Sequence, residues 1–203
     1  MRVVIFSWEY PPRVVGKLAS YVRDLVLRLA KSRIETFLVT YHDYLTGESE
    51  EEGVKVYRVT NPVKTHIGVL TWVLTLNQEV ERAAANIYYR SGRNIDLIDV
   101  QDWHFIPAAV TLKKAFDIPF VYSVESLEDH RSHGANSPFN MAIKSIEWLG
   151  MYEASVVVVK SDWMAKEVIR TYNVPEAKVK TVNPETKNWF EYILKIYVGL
   201  REK

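Results

Sequence analysis

The stretch FSWEYPPRVVGKLASYV, residues 6–22, joins an apolar strand to an amphipathic helix through a break with two prolines and one glycine. Pro11 and Pro12 cannot donate backbone hydrogen bonds and disfavour helix in the residue before them, so the first strand must end here. Gly16 can adopt a positive φ and lets backbone approach a ligand just before a helix N-terminus. Because such an N-terminus attracts anions, this loop is a candidate phosphate site, and a tight turn without a ligand is the alternative.

Apolar segments of strand length alternate with segments of helical periodicity along the rest of the chain. Several strands are continuously apolar, which is typical of parallel strands buried on both faces. We expect strands at 2–8, 35–41, 54–60, 95–101, 119–125 and 154–161. We expect helices from about residue 18 and over 78–90, 105–116, 139–152 and 162–172. This alternation predicts an α/β fold with right-handed βαβ units, a Rossmann-like three-layer αβα parallel sheet.

Two segments between the strands are harder to interpret. The acidic run TGESEEEG, residues 46–53, favours a solvated turn. The apolar run NPVKTHIGVLTWVLTLN, residues 61–77, favours an internal helix, with a membrane-surface segment or a wall of a binding site as alternatives. Its apolar part is shorter than the roughly 20 residues that span a bilayer, so we expect no membrane partner.

Composition excludes several functional classes. Lys and Arg number 26 against 25 Asp and Glu, a balance that gives no electrostatic case for nucleic acid. The chain has no cysteine, which excludes disulfides and thiolate metal sites, and Met1 leads directly into a strand pattern without a secretory signal. His130 and His133 lack a third ligand and favour a solvated loop over a metal site. We therefore expect a cytoplasmic protein without a metal or other cofactor.

Candidate site residues follow the predicted strands, because ligands of open α/β sheets bind outside the carboxyl ends of the strands. This rule selects residues 8–17, 102–104 and 125–133. Asp102 also favours a helix N-cap that is followed by a packed Trp103, which is compatible with a role in binding. Tyr10 can either contact a ligand or pack, since it precedes a proline.

Three segments, in order and with matching spacing, resemble a known family. They are SWEYPP with VVG and LASYVRDLVLRLAKS (7–32), IDLIDVQDWHFIPAAVTLKKAFDIPFVYSVESLEDH (95–130) and EASVVVVKSDWMAKEVIRTYNVPEAKVKTVNP (153–184). Together they resemble the N-terminal domain of archaeal-type glycogen/starch-synthase-like glycosyltransferases, which are retaining GT-B enzymes that use nucleotide sugars. The resemblance covers most of the chain.

The resemblance implies a two-domain enzyme with facing Rossmann-like halves, in which the N-terminal half holds the acceptor and the C-terminal half holds the nucleotide sugar. It implies a nucleotide sugar and a glucan-like acceptor as partners. On this chain it places the donor-phosphate loop at Gly16 and Lys17. It places the acceptor side at Glu9, Tyr10, Asp102, Trp103, His104 and Ser126.

Three residues depart from the family pattern. Lys17 replaces the second glycine of the loop, and its side chain would occupy space that the donor needs, although its charge can pair with phosphate. Glu125 stands at the family's histidine position, where a carboxylate would repel a phosphate-bearing donor. Arg33 stands where the family has a glycine at a helix end that needs a positive φ. We therefore assign no catalytic residue and expect weak or lost binding of the nucleotide sugar.

The last segment, ETKNWFEYILKIYVGLREK, has the pattern of one amphipathic helix. Its apolar face consists of Trp189, Phe190, Ile193, Leu194, Tyr197 and Leu200, and Thr186 is a candidate N-cap. It resembles the helix that in GT-B enzymes returns to pack on the N-terminal domain. We expect a GT-B N-terminal domain over 1–184 and a returning helix over 185–203, without the donor domain.

These expectations combine into one functional hypothesis. The chain is expected to be the acceptor-binding half of a retaining, nucleotide-sugar-dependent glycosyltransferase, monomeric, inactive alone, and an engineered or truncated single-domain form. The charges of Lys17 and Glu125 would then lie on the face of the missing domain and keep an isolated half soluble. The alternatives are a non-catalytic carbohydrate-binding or scaffold domain, and a half-enzyme that works with a separate donor-domain chain.

Overall fold

A computed structural model describes residues 1–202 of the chain. The strands are β1 (Arg2–Ser7), β2 (Glu35–Tyr41), β3 (Gly47–Glu51), β4 (Val54–Val59), β5 (Leu97–Gln101), β6 (Phe120–Val124), β7 (Val156–Val159) and β8 (Val179–Thr181). The helices are α1 (Lys17–Lys31), α2 (Val69–Arg90), α3 (Ile106–Phe116), α4 (Glu128–Arg131), α5 (Pro138–Glu153), α6 (Asp162–Tyr172) and α7 (Trp189–Arg201). The predicted alternation of strands and helices is confirmed.

The eight strands form one sheet in the order β3-β4-β2-β1-β5-β6-β7-β8. Strand β3 is antiparallel to β4, and the other neighbouring strands pair in parallel. The predicted Rossmann-like α/β fold is therefore correct, with an antiparallel edge. The chain first builds outward from β1 on one side and then crosses to β5 on the other. This reversal creates a topological switch point between the carboxyl ends of β1 and β5.

Two layers of helices cover the sheet because successive side chains of a buried strand point to opposite faces. Val3 and Ile5 of β1 pack in the core beneath α1 and α7. Val4 and Phe6 pack in the core shared by α2, α3, α5 and α6. All four side chains are at most 2% exposed, which explains why these strands are apolar without alternation.

The acidic segment forms β3, so the prediction of a solvated turn was wrong. Glu52 and Gly53 join β3 to β4 with φ values of 50° and 84°, the two positive angles of a tight type I′ hairpin turn. Arg58 pairs with Glu51 across the hairpin at 2.5 Å. Glu48 and Glu52 pair likewise with Arg90 and Arg23. Cations on other elements therefore face three of the four glutamates, which a count of acidic residues cannot reveal.

The apolar segment after β4 is an internal helix from Val69 onward, as predicted. Val73, Leu76 and Val80 of α2 are fully buried against the sheet. None of the helices in the described part of the chain combines the length and apolar character that crossing a bilayer requires.

Helix α7 packs on the sheet beside α1 with the face that the sequence predicts. Ile193 and Tyr197 are fully buried, and Leu194 and Leu200 pack at the edge of the same core. The predicted N-cap was wrong: α7 begins at Trp189 after Asn188. The hydroxyl of Thr186 donates to the carbonyl of Asn183 at 2.8 Å, so it already closes the preceding turn.

A buried hydrogen bond connects α7 to the centre of the sheet. The Tyr197 hydroxyl donates to the carboxylate of Asp99 in β5, and the Ser123 hydroxyl donates to the same group at 2.8 Å. Burial raises the pKa of Asp99 to about 6, although both hydroxyl groups oppose this shift. The ionised form of Asp99 therefore depends on its two donors.

Replacing Tyr197 by Phe is expected to lower the free energy of unfolding by about 1.5–3 kcal/mol at about pH 8, where Asp99 is ionised. The loss is expected to be smaller at about pH 5, where Asp99 is protonated, because the removed donor stabilises the charged carboxylate more than the neutral carboxyl group. Urea denaturation at both pH values measures the difference. Tyr192→Phe, an exposed tyrosine on the same helix, is the control. An equal loss at both pH values would contradict the prediction.

The turn after α1 confirms the expectation for Arg33, whose φ is 60°. The N–H of Arg33 donates to the carbonyl of Ala30 at 2.9 Å, and that of Ile34 donates to Leu29 at 3.1 Å. These hydrogen bonds are typical of a helix end at which one residue, here Arg33, adopts the left-handed conformation. Glycine is preferred at such a position because it has no Cβ to cause strain.

Arg33→Gly is expected to raise the free energy of unfolding by about 0.5–1 kcal/mol, because glycine removes the cost of the left-handed backbone. Arg33→Ala is the matched control, since it removes the exposed side chain and keeps the strain. Thermal unfolding of the three proteins tests this. Equal stabilisation by alanine and glycine would assign the effect to the side chain and refute the backbone argument.

Candidate functional site

A cavity of about 470 Å³ lies at the switch point, over the carboxyl ends of β1, β5 and β6. Each of the three segments selected from the sequence contributes to its lining. Helix α5 contributes Phe139, Asn140 and Ile143, and α2 contributes Val69. The topology therefore brings together residues that are far apart in the sequence.

The loop after β1 is organised by Glu9. Its buried carboxylate accepts hydrogen bonds from the N–H groups of Val15 and Gly16, both at 2.8 Å. Gly16 has a φ of −145°, an extended conformation, so the anticipated positive φ is not adopted. A Cβ at Gly16 would lie 3.7 Å from a Glu9 oxygen, an ordinary contact. The side chain of Glu9 thus occupies the two N–H groups that directly precede helix α1.

Two other residues of this loop lie outside the cavity lining. Lys17 is the first residue of α1 and its side chain is exposed. Tyr10 is buried in the core beneath α1, with the guanidinium of Arg58 5.8 Å from its ring centroid. Of the two alternatives for Tyr10, packing describes its position.

Three stacked rings form one wall of the cavity. The His104 ring lies 4.5 Å from Trp8 and 4.5 Å from Trp103, measured between centroids, with interplanar angles of 15° and 27°. Burial lowers the pKa of His104 to about 3, and the nearby positive charge of Arg131 acts in the same direction. His104 is therefore neutral near pH 7, and its buried Nδ1 has no hydrogen-bond partner among the described residues.

Asp102 has an uncommon backbone conformation and one side-chain oxygen without a hydrogen-bond partner. Its φ is 67°, a left-handed value that costs energy in a residue with a Cβ. It stands at the N-cap position of a short 3-10 helix, Trp103–Phe105, and Trp103 is packed, as predicted, but its side chain makes no capping hydrogen bond. Its buried Oδ1 has no partner among residues 1–202, and burial raises the pKa of Asp102 to about 7. Strain and an unpaired polar atom together are typical of a functional position.

Arg131 is a cavity residue that the sequence analysis did not single out. Its guanidinium donates to Glu147 at 2.7 Å, Glu128 at 3.1 Å and Ser126 at 2.6 Å. It also lies 5.7 Å from the ring centroid of Trp103. Ser126, an expected acceptor-side residue, lines the cavity and accepts this bond through its hydroxyl oxygen.

The position of Arg131 depends on the fully buried Glu147. Glu147 also accepts from the hydroxyl of Tyr172 and from the backbone N–H of Glu128 at 2.8 Å. Burial raises the pKa of Glu147, while Arg131 opposes the shift. The spacing of residues along a single helix cannot predict this hydrogen-bond network, because its members come from three helices, α4, α5 and α6.

Glu125 lines the cavity at the end of β6 and pairs with Lys160 at the end of β7. The Lys160 ammonium also lies 4.3 Å from the ring centroid of Tyr21. The expected repulsion between Glu125 and a donor phosphate is therefore reduced by a neighbouring cation. This pairing follows from the adjacency of β6 and β7, which sequence spacing alone does not show.

The two histidines after β6 lie apart from the cavity lining. His130 contacts Glu167 at 3.0 Å and packs against Trp163 with the ring centroids 4.9 Å apart. The described residues contain no group of three side chains placed to hold a metal ion.

Comparison with known sequences identifies relatives along most of the chain. Residues 18–184 match the family model described as Glycosyltransferase Family 4. An uncharacterized glycosyltransferase of Methanocaldococcus jannaschii is 33% identical over 191 residues, which are 93% of this chain and 47% of that protein. The glycogen synthase of Mycobacterium tuberculosis is 24% identical over 198 residues, with 90% and 47% coverage. The chain thus spans about half the length of the curated relatives it matches.

Comparison with solved structures supports the same fold. Sucrose-phosphate synthase from Thermosynechococcus elongatus has a TM-score of 0.73 at 17% identity, over 91% of this chain and 48% of that one. A form of that protein described by the ranges 27–220 and 406–426 has a TM-score of 0.69 at 17% identity, with 100% and 98% coverage. The catalytic domain of starch synthase IV from Arabidopsis thaliana, bound to ADP and acarbose, has a TM-score of 0.63 at 15% identity, with 90% and 51% coverage.

The family model covers more than half of the chain. The chain also has the fold of these GT-B-type structures, and the cavity lies at the switch point of its sheet. The protein therefore belongs to glycosyltransferase family 4.

Proposed function

We propose that this chain supplies the acceptor-side half of a retaining glycosyltransferase that uses a nucleotide sugar. The observation that carries the proposal is the cavity at the switch point, which is lined by stacked rings and by Asp102 and His104, each with a buried polar atom that has no partner among the described residues. The faces of a sugar ring are partly apolar and its hydroxyl groups both donate and accept. An aromatic wall with a few polar groups is the environment that binds such a molecule.

The acceptor proposed for this cavity is an uncharged, glucan-like sugar chain. The Trp8, His104 and Trp103 rings offer the wall for packing, and Asp102, which lines the same cavity, supplies a carboxyl group for a sugar hydroxyl. Arg131 is already bonded to three side-chain oxygens, so its charge is largely compensated within the protein. The relative from M. tuberculosis is a glycogen synthase, which supports a glucan.

The donor half of the reaction is proposed to require a second domain. Sugar transfer depends on positioning the donor and stabilising the leaving phosphate. In this chain the Gly16 N–H is occupied by Glu9, and Lys17 stands at the start of α1. Two structural neighbours are described as bound to ADP or UDP, and the chain covers about half of each. We expect weak binding of a nucleotide sugar to this chain alone.

We further propose that this domain is monomeric and corresponds to the acceptor-side half of a two-domain enzyme. The form of sucrose-phosphate synthase with two joined ranges is nearly the same size as this chain and superposes over almost all of it. Lys17 and Glu125 place charges on the face that a second domain would cover, and such charges favour solubility. The alternative is a non-catalytic carbohydrate-binding domain, which the occupation of the loop N–H groups by Glu9 favours.

Separate calorimetric titrations with maltotetraose and with ADP-glucose or UDP-glucose test this proposal. We expect maltotetraose to bind, the nucleotide sugars to bind weakly, and radiolabelled sugar not to be transferred by the chain alone. Transfer by the chain alone would refute the need for a second domain. Absence of binding by both ligands would refute the acceptor site and favour a scaffold.

The proposed role of Asp102 predicts a pH dependence. Because its pKa is raised to about 7 by burial, the carboxylate becomes a stronger hydrogen-bond acceptor as the pH rises through neutrality. We expect maltotetraose to bind about fivefold more tightly at about pH 8 than at about pH 6. Asp102→Asn is expected to remove this dependence, whereas Asp129→Asn, outside the cavity lining, is expected to retain it. A pH profile of Asp102→Asn that matches the unmodified chain would exclude Asp102 from acceptor binding.

A further inference from the structure

Helix α5 runs from the cavity, at the carboxyl ends of the strands, to a second groove near the amino ends of the strands. Asn140, near its start, lines the cavity. Tyr152, near its end, lines a groove of about 400 Å³ with the segment that joins α6 to β8. At a rise of about 1.5 Å per residue, these two positions are about 18 Å apart along the helix axis. The groove therefore lies at the amino ends of the strands, away from the switch point.

Two aromatic rings stand exposed at this groove. Trp148 is 49% exposed and Tyr152 is 67% exposed. The residues are four positions apart, so they are neighbours on one helix face, and their rings stack with centroids 5.2 Å apart and an interplanar angle of 12°. The stack orders both side chains before any ligand arrives, which reduces the entropic cost of binding.

Polar groups lie beside the aromatic pair. Lys178 lines the groove and donates from Nζ to the carbonyl of Tyr152 at 2.7 Å. An ammonium group has three donors, so others remain for a ligand. Burial lowers the pKa of Lys178, and the charge of Lys113 acts in the same direction. Asn173, which ends α6 in the left-handed region, lines the same groove. The groove thus combines flat apolar faces with hydrogen-bonding groups.

We propose that this groove is a second carbohydrate site, which binds a segment of an α-glucan chain against Trp148 and Tyr152. The inference rests on the proposed function, because the glucan is chosen from the class of acceptor proposed for the cavity. A donor domain that faces the switch point would leave the amino edge of the sheet uncovered. A polymer held here remains near the cavity, so its local concentration there rises.

Electrophoresis in native gels that contain glycogen tests the proposal. The unmodified chain is expected to be retarded, and Trp148→Ala is expected to weaken the apparent affinity about fivefold or more. Trp163→Ala is the matched control, since Trp163 is a 59% exposed tryptophan that lines neither the cavity nor the groove. Tyr152→Ala provides a second variant with the same expected loss. Circular dichroism verifies that each variant is folded.

The outcomes distinguish this site from the cavity. If Trp148→Ala and Tyr152→Ala are retarded as strongly as Trp163→Ala, the second site is refuted. His104→Ala, a variant of the cavity, reports separately whether glycogen binds there. If the unmodified chain is not retarded but binds maltotetraose, the second site fails while the proposed function stands. A second test titrates the chain with a proline-rich peptide and monitors the tryptophan indole signals by NMR. Saturable binding at Trp148, without any binding of glycogen, would refute the carbohydrate site and assign the groove to a peptide.

Discussion

The position of β1 between β2 and β5 is the constraint on which the site depends. Because the sheet extends from β1 in both directions, the loops that follow β1 and β5 diverge to opposite faces and leave a crevice between them. Trp8 enters this crevice from one loop, and Trp103 and His104 enter it from the other. The aromatic stack therefore exists only because two strands 90 or more residues apart in the chain are hydrogen-bonded neighbours.

Three buried carboxyl groups show how structural and functional polar residues differ. Asp99 accepts from the hydroxyl groups of Tyr197 and Ser123, and Glu147 accepts from Arg131 and Tyr172. Each of these two groups has partners that repay much of its desolvation. Asp102 is buried to a similar degree, yet its Oδ1 has no partner among the described residues. A buried oxygen without a partner destabilises the fold unless a ligand supplies one, which favours Asp102 as the contact residue.

The sequence predicted the fold well because burial on both faces leaves a clear apolar signal in the parallel strands. It predicted the exposed β3 wrongly, since an acidic edge strand is stabilised by ion pairs whose partners lie elsewhere. The strand-end rule located the three segments of the cavity, and the positive φ of Arg33 was expected because the resembling family has a glycine at this helix end. It placed Arg131 within the candidate segment 125–133 without assigning it a role, and it did not select Glu147 or Lys160, because the roles of all three depend on contacts between elements. Tyr10 illustrates the same limit, since strand-end position does not decide whether a side chain points inward.

Glu9 has a particular consequence for the loop that opens the first helix. Its carboxylate accepts from two adjacent backbone N–H groups, which is the arrangement that a bound phosphate oxygen would use. An incoming anion must therefore displace a buried carboxylate or use the remaining N–H groups of the α1 N-terminus. Displacement would leave Glu9 charged, buried and without its hydrogen bonds, which is costly. The Glu9 carboxylate thus satisfies the backbone N–H groups of Val15 and Gly16 within the protein itself. These two hydrogen bonds hold Gly16 in its extended conformation.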